Sequence, residues 1–483
     1  MTTRKKADTR PFLSDPDKIA EGLLVSQFVW DPQDTPEDQI LGQDHRDRAA
    51  ETLRYWRGDF YSWAEGCWHQ MADHEIDRVI TRHVQDLNGD TNGQETIRVS
   101  TNLVRNIRQC LIGRVGLPQT REPNTWEDGR ESIGIHSISM GNGVLTYSPY
   151  QLDPGPVLAR HSPRFFSTVK LPYNYDPQAN CPMWTAFLED VLSGDKEYMT
   201  LIQQWCGYLL RPDLREQRFL LCVGEGANGK GVFFEVVKDL VGPVNCSQVP
   251  LSRFGKPFAL YTTYGKLVNM TNESTHIIDE EAESILKSYV AGDRYTFERK
   301  FRESIDAVPT AKLMIATNSL PRFNDKTEGV WRRILLVPFD RSVPEDRQIK
   351  NLAQEIAGQE LPGIFNWAMD GLKGLNKAGS FIRPARTQEL MEAYRRDSDP
   401  ARAFLAEHFT HSPNANGVAC YEVYSQYRQW CQDNGYHPLG ERAFGQQVKR
   451  IFPGVDRRRS GSRDDRQYVY SGLVSYGPYV FSS

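Results

Sequence analysis

Apolar residues change their spacing several times along this chain, and each change marks a different kind of element. From Leu53 to Gln70 the run LRYWRGDFYSWAEGCWHQ sets six aromatics into eighteen residues at near-alternating intervals. That alternation predicts a strand, a glycine-containing turn and a second strand. Residues 75–87 (EIDRVITRHVQDL) and 97–112 place apolar side chains three and four apart, which predicts two amphipathic helices. After a Gly- and Ser-rich stretch around Gly134 to Gly143, the proline- and aromatic-rich segment from Pro163 to Pro177 reads as irregular connection. Helical spacing returns in MWTAFLEDVLSG and KEYMTLIQQWCGYLL, which ends at Arg211-Pro212.

The rhythm then shifts to short, continuous apolar runs. RFLLCV (Arg218 to Val223), KLVNMTNE (Lys266 to Glu273), AKLMIATN (Ala311 to Asn318) and RRILLVPF (Arg332 to Phe339) alternate with helical or polar stretches. Strands buried on both faces have this texture, so a mostly parallel sheet covered by helices is expected. Residues 346 to 375 revert to helical spacing, and Gly379 to Pro384 reads as a linker. The remaining segments give helical patterns in ARAFLAEHFTH, YEVYSQYRQWCQDNG and ERAFGQQVKRIF, then two potential strands about the polar turn in RRRSGSRDDRQYVYSGL.

Composition narrows the class without naming the chemistry. The 483 residues suffice for roughly three domains at about 150 residues each. At 39% hydrophobic and 25% charged, the chain is neither fibrous nor disordered throughout. Residues 1 to 50 are the exception, with seven acids and few aliphatics between Asp31 and Glu51, and read as a flexible arm. The eight cysteines form no C-x-x-C pair, which argues against a zinc site or a disulfide framework and points to a reducing compartment. No apolar stretch approaches a membrane span, so a cytoplasmic protein is expected. The net charge of −4 gives no sign of a nucleic-acid partner, yet residues 442–466 hold eight bases against three acids.

The sharpest local signal is Gly224-Glu225-Gly226-Ala227-Asn228-Gly229-Lys230-Gly231, a G-x-x-x-x-G-K pattern between an expected strand and an expected helix. Glycines let backbone N–H groups wrap a phosphate, the helix N-terminus adds positive potential, and Lys230 neutralises charge, so the pattern points to ATP. The hydroxyl that ordinarily ligates Mg²⁺ is missing, because position 231 is glycine; water in its place, or impaired hydrolysis, are the two consequences. Glu273 closes a later strand and is placed to hold Mg²⁺ through water, and Asn318 closes the next and could orient the attacking water, a plain loop role being the alternative for each taken alone. Arg332 and Arg333 open a further strand, where an arginine acting across a subunit boundary would stabilise the transferring phosphate; local salt bridging is the alternative. Between them, Arg294 to Glu303 carries four basic residues and three aromatics, and a hairpin here could present Arg299, Lys300 or Arg302 to phosphates, or form a solvated strand face. ERAFGQQVKRIF could be a recognition helix, with Lys449 and Arg450, and RRRSGSRDDRQ, with Arg457, Arg458 and Arg459, a wing tip; a solvated basic face is the alternative.

Taken together, GEGANGKG, KLVNMTNEST, AGDRYTFERKF, AKLMIATNSLPRF and EGVWRRILLVPF resemble the superfamily 3 helicases, specifically the phage and plasmid primase-helicase family. Similarity extends upstream through LRYWRGDFYSWAEGCWHQ and LPYNYDPQANCPMWTAFLEDVL, and the last 85 or so residues resemble a winged-helix domain. The resemblance implies an α/β chain: an α+β domain over 51–210, an AAA+-like P-loop ATPase core over 211–345, a helical lid and linker over 346–394, and a winged helix over 395–483. It places the phosphate loop on Gly224 to Gly231, the second Walker motif on Glu273, the sensor on Asn318, the finger on Arg333 ahead of Arg332, and a DNA-contacting hairpin around Lys300. It also implies a ring, commonly a hexamer, moving 3′ to 5′ on single-stranded or forked DNA in replication of a mobile element, beside a separate primase or polymerase. Only about 50 polar residues precede the helicase-like part, so no primer synthesis is expected. An ATP-regulated initiator that unwinds little remains an alternative, and a small-molecule kinase a poorly supported one.

Overall fold

The computed structural model describes residues 15–30, 50–89, 96–127, 129, 136–148, 155–273, 278–321, 323, 328–460 and 467–476. The chain divides into two compact units, Met1–Ser319 with Gly329–Ile382, and Leu320–Glu328 with Arg383–Ser483.

The first unit opens with helix α1 (Pro16–Gln27), where a flexible arm is expected from composition. Asp15 accepts the amide of Asp17 at 3.0 Å and Pro16 takes the first helical position, which together fix the helix start. Ile19, Ala20, Leu23 and Leu24 make one apolar stripe buried with Ile76, Ile80, Ile107 and Leu111, and that burial holds the helix in place. The rest of the expected arm, 1–14 and 31–49, lies outside the described residues. Strands β1 (Leu53–Trp56), β2 (Asp59–Ala64) and β3 (Cys67–Met71) form an antiparallel meander. Alternation predicts two strands here; the third arises because the chain turns twice, at Arg57-Gly58 and at Glu65-Gly66, all four residues at positive φ. Helices α2 (Asp73–Gly89) and α3 (Thr101–Val115) follow as the periodicity predicts. A second small antiparallel sheet, β4 (His136–Met140), β5 (Gly143–Tyr147) and β6 (Val157–Ala159), is not evident from the sequence pattern.

Helices α4 (Pro182–Val191) and α5 (Lys196–Leu209) lead into the parallel sheet. Its elements run β7 (Phe219–Val223), α6 (Lys230–Val241), β8 (Cys246–Ser247), β9 (Val268–Glu273) and α7 (Glu280–Ala291), then a hairpin of β10 (Tyr295–Phe297) and β11 (Ile305–Ala307), then β12 (Lys312–Thr317) and β13 (Ile334–Pro338). All five sheet strands are parallel, in the order β8-β9-β12-β7-β13. The long helix α8 (Leu352–Ala378) shares the core of this unit and packs tightly on α5. A Cβ at Gly371 would stand 2.2 Å from the Gln203 carbonyl and one at Gly207 2.3 Å from that of Ala368, so glycine on both helices permits the approach. Buried Glu360 of α8 accepts the amides of Met183 and Trp184 at 2.9 Å each, satisfying donors at the start of α4.

The second unit contains α9 (Ala385–Ser398), α10 (Pro400–His408), β14 (Phe409–His411), β15 (Val418–Ala419), α11 (Cys420–Asp433), α12 (Glu441–Ile451), β16 (Asp456–Ser460), β17 (Gln467–Ser471) and β18 (Leu473–Ser475). Phe404, Tyr427 and Phe444 tie its helices together, with the Tyr427 and Phe444 rings stacked 4.4 Å apart. Strands β16 and β17 pair antiparallel as the wing. The chain is thus an α/β protein with an α+β region ahead of the parallel sheet and a winged helix after it, as expected. No described helix is long and apolar enough to cross a membrane.

Candidate functional site

The glycine-rich loop joins β7 to α6, as its sequence pattern predicts. Gly224 cannot be replaced without a shift, since its Cβ would lie 2.2 Å from the Phe339 carbonyl and 2.3 Å from Asn228 Nδ2. Gly229 has φ +85° and would meet Val191 at 2.6 Å, so both backbone conformation and close approach call for glycine. Asn228 is buried and donates Nδ2–H to the Phe339 carbonyl at 2.7 Å, which anchors the loop to the residue after β13. The Lys230 ammonium donates to the carbonyls of Gly224 and Glu225 and to Asn228 Oδ1 at 3.0 Å. It fills the hollow of its own loop, and partial burial holds its pKa below the ordinary lysine value.

Strand register decides what surrounds this loop. Val223 of β7 and Glu273 of β9 are both paired with Thr317 of β12. The loop, Glu273 and Asn318 therefore leave the same, C-terminal edge of the sheet on neighbouring strands, where ligands of open α/β sheets bind. The Glu273 side chain lies outside the described residues. Asn318 is exposed and lines a cavity of about 780 Å³ together with Gly226 to Val232. Helix α4 adds apolar lining through Met183, Phe187 and Val191, joined by Ile349 and Leu352, while Asp190 and Gln348 contribute polar groups. Sequence patterning identifies α4 as a helix but carries no signal that its face overlies the loop. A Cβ on Gly231 would meet nothing within 4 Å, so packing does not dictate glycine there. Among the described residues, no group of three or more His, Cys, Asp or Glu could hold a metal unaided.

The arginine pair is not brought to this cavity. The Phe219 amide donates to the Arg333 carbonyl at 2.9 Å, so the pair stands at the beginning of β7 and β13, the sheet edge opposite the loop. Arg333 is buried, donates Nη1–H to the Gly329 carbonyl, and has its pKa lowered first by burial and then by the neighbouring Arg332 charge. Arg332 is exposed.

The expected hairpin forms, but its basic residues divide. Arg299 is buried and pairs with Asp59 Oδ2 at 2.5 Å; Arg302 pairs with Asp59 Oδ1 and, at 2.7 Å, with Asp73. Lys300 is exposed at the tip beside Phe301, which is 93% exposed and at φ +61°. Phe301 and Asp59 escape sequence reasoning, the latter because 240 residues separate it from Arg299.

In the winged helix, Arg450 is exposed on α12, and Arg457, Arg458 and Arg459 are exposed along β16. The Arg457 and Arg459 guanidinium groups lie 4.3 and 5.3 Å from the Tyr468 ring centroid, and Arg459 Nε–H donates to its hydroxyl. Lys449 and Arg458 both pair with Asp456, at 2.8 and 3.3 Å. Arg463 and Arg466, at the expected wing tip, lie outside the described residues.

Comparison with known proteins gives three family matches: "D5 N terminal like" over residues 45–193, a family of unknown function (DUF5906) over 222–333, and the RFX DNA-binding domain over 399–476. The candidate helicase L207/L206 of Acanthamoeba polyphaga mimivirus is 22% identical over 262 residues, 50% of this chain and 27% of that protein. The candidate helicase 022R of Frog virus 3 is 23% identical over 257 residues, 48% of this chain and 26% of that one. The chain thus matches about a quarter of the length of these viral relatives. Among solved structures, the apo A form of the NrS-1 C-terminal region shares the fold at a TM-score of 0.50 and 12% identity, covering 87% of this chain and 96% of that one.

Proposed function

The chain is a superfamily 3 helicase-like protein with D5 N-terminal-like and DUF5906 regions, and on that premise we propose that it is an ATP-driven DNA helicase. One observation carries this reading: the phosphate-type loop, Glu273 and Asn318 leave one sheet edge in register, and the loop and Asn318 line one cavity there. The triphosphate of ATP would take the loop amides and the positive end of α6, and its base would lie against Met183, Phe187, Val191 and Leu352. Lys230 exchanges its loop carbonyls for the β- and γ-phosphate oxygens. Mg²⁺ supplies charge neutralisation and Lewis acidity when bound; Glu273 would hold it through water, and Gly231 contributes no ligand. Asn318 orients the attacking water.

Hydrolysis at subunit interfaces of a ring, hexameric as in the family, would complete the site with Arg332 of a neighbouring subunit. Arg332 is preferred to Arg333 because it is exposed, whereas Arg333 is buried and hydrogen-bonded within its own turn. Translocation 3′ to 5′ on single-stranded or forked DNA would use the hairpin tip at Lys300, and the winged helix would dock duplex through Arg450 and Arg457 to Arg459. The setting is replication of a phage, plasmid or other mobile element in the host cytoplasm, beside a separate primase or polymerase.

Gly231 favours a second reading, an ATP-regulated replication initiator that assembles on DNA and unwinds little. ATP hydrolysis with Mg²⁺, measured with and without single-stranded DNA, separates the two. The helicase requires stimulation that Lys230→Ala abolishes; background phosphate release under all conditions favours the initiator.

A further inference from the structure

The two basic residues that flank the hairpin tip converge on one carboxylate from a different part of the chain. Asp59, only 2% exposed, opens β2 directly after the tight turn at Arg57-Gly58. Its Oδ2 takes Arg299 at 2.5 Å and its Oδ1 takes Arg302. Arg299 is further held by the carbonyls of Glu303 at 2.9 Å and Arg57 at 3.3 Å. Arg302 extends to Asp73, the first residue of α2, at 2.7 Å.

Lys300 and Phe301 are the two residues enclosed by this clamp. Phe301 adopts φ +61°, a conformation that a bulky residue takes only where its surroundings impose it. Here the imposition is visible: fixing positions 299 and 302 to the two oxygens of one carboxylate leaves residues 300 and 301 to close the loop. The result projects Phe301 into solvent with the Lys300 ammonium 5.2 Å from its ring centroid. A cation beside an exposed aromatic ring suits a phosphate and an adjacent base of a single strand. Arg299 and Arg302, which look like DNA contacts in the sequence, are spent on holding the tip.

We propose that Asp59 is a positioning residue for DNA contact: through this carboxylate the N-terminal α+β region sets the orientation in which Lys300 and Phe301 meet single-stranded DNA. The proposal rests on the reading of the hairpin as a DNA contact, and its test separates the two. The readout is the concentration of an oligo-dT strand that gives half-maximal stimulation of ATP hydrolysis by the full chain, with each variant's DNA-independent rate as its reference.

Lys300→Ala and Asp59→Asn are each expected to raise that concentration about tenfold, and the double variant to stay within about threefold of either single one, because a lysine no longer held contributes little. Asp59→Glu, which keeps the carboxylate, is expected to recover part of the loss. No effect of Lys300→Ala would overturn the hairpin reading, and the proposal with it. A clear effect of Lys300→Ala with none from Asp59→Asn, or with the two losses multiplying, would overturn the clamp and leave the hairpin reading standing. If Asp59→Asn does not fold, Gly58→Ala decides. Its Cβ would stand 2.8 Å from Arg299 Nη2, and the φ of +86° at residue 58 disfavours alanine, so both the turn that carries Asp59 and the Arg299 arm of the clamp shift while every charge remains. It is expected to raise the half-stimulating concentration, and an unchanged value would overturn the proposal.

Discussion

Phe219 donates its amide to the carbonyl of Arg333, joining the first residue of β7 to the turn that opens β13. The glycine-rich loop begins five residues later, at the far end of β7. At about 3.3 Å per residue the two ends are roughly 16 Å apart, so no rotamer of Arg332 or Arg333 spans the distance to the loop of its own subunit. An arginine supplied by a neighbouring subunit should therefore show complementation. Arg332→Ala and Lys230→Ala proteins should each lose ATP hydrolysis, by about 10³-fold or more for the arginine. Mixing them should restore part of the activity, because some interfaces then pair an intact loop with an intact arginine. No recovery in mixtures that demonstrably exchange subunits would contradict an arginine acting in trans.

Gly231 stands in open space at the second position of α6. Gly231→Ser should therefore fold normally and gain no more than about 0.5 kcal/mol from helix propensity. Its hydroxyl should lower the Mg²⁺ concentration needed for half-maximal hydrolysis. Thermal unfolding and a Mg²⁺ titration check both statements; an unchanged Mg²⁺ requirement would mean that residue 231 does not face the ion.

Lys312 begins β12 fully buried, its ammonium donating to the Arg211 carbonyl and lying 5.1 Å from the Tyr208 ring centroid. Burial, opposed by Asp213 and reinforced by Arg211, lowers its pKa to about 7, against about 10.4 in an unfolded chain. Between those two values the unfolded state binds a proton that the folded state lacks. Stability contributed at this position therefore rises with pH from about 7 to about 10 and is flat below 7. Lys312→Met should remove that slope. Urea midpoints of both proteins from pH 6 to pH 9.5 test it, and parallel curves would refute the shifted lysine.

In the winged helix, Arg450 on α12 and Arg458 on β16 are exposed. Replacing either with alanine should weaken duplex binding similarly across sequences and reduce the slope of log K against log salt by about 1, the mark of a lost phosphate contact. Binding isotherms at several salt concentrations check this. A loss confined to one DNA sequence would instead indicate a base contact.

What the sequence reveals depends on how local the cause is. The loop between β7 and α6 is legible because glycine, lysine and the strand-helix change lie within about fifteen residues of one another. The parallel sheet is legible because strands buried on both faces are continuous apolar runs, as in FLLCV and ILLVP. Helix α1 is obscured by its polar neighbours, although Asp15-Pro16-Asp17 carries a helix-start signal. The third strand of the N-terminal meander depends on Glu65 taking positive φ, which composition does not announce. Least legible are the pairings across the chain. Nothing near Arg299 points to Asp59, and nothing in α4 indicates that Phe187 faces the loop. In both cases a long-range contact decides whether a side chain is free for chemistry or already used.

Strand displacement on a forked duplex with Mg²⁺ and ATP reads directly whether ATP turnover at this site drives separation of DNA strands. The wild-type protein should release the labelled strand, and Lys230→Ala, at equal concentration and with equal DNA binding, should not. Equal release by both proteins, or release by neither while hydrolysis proceeds, would contradict ATP-driven separation.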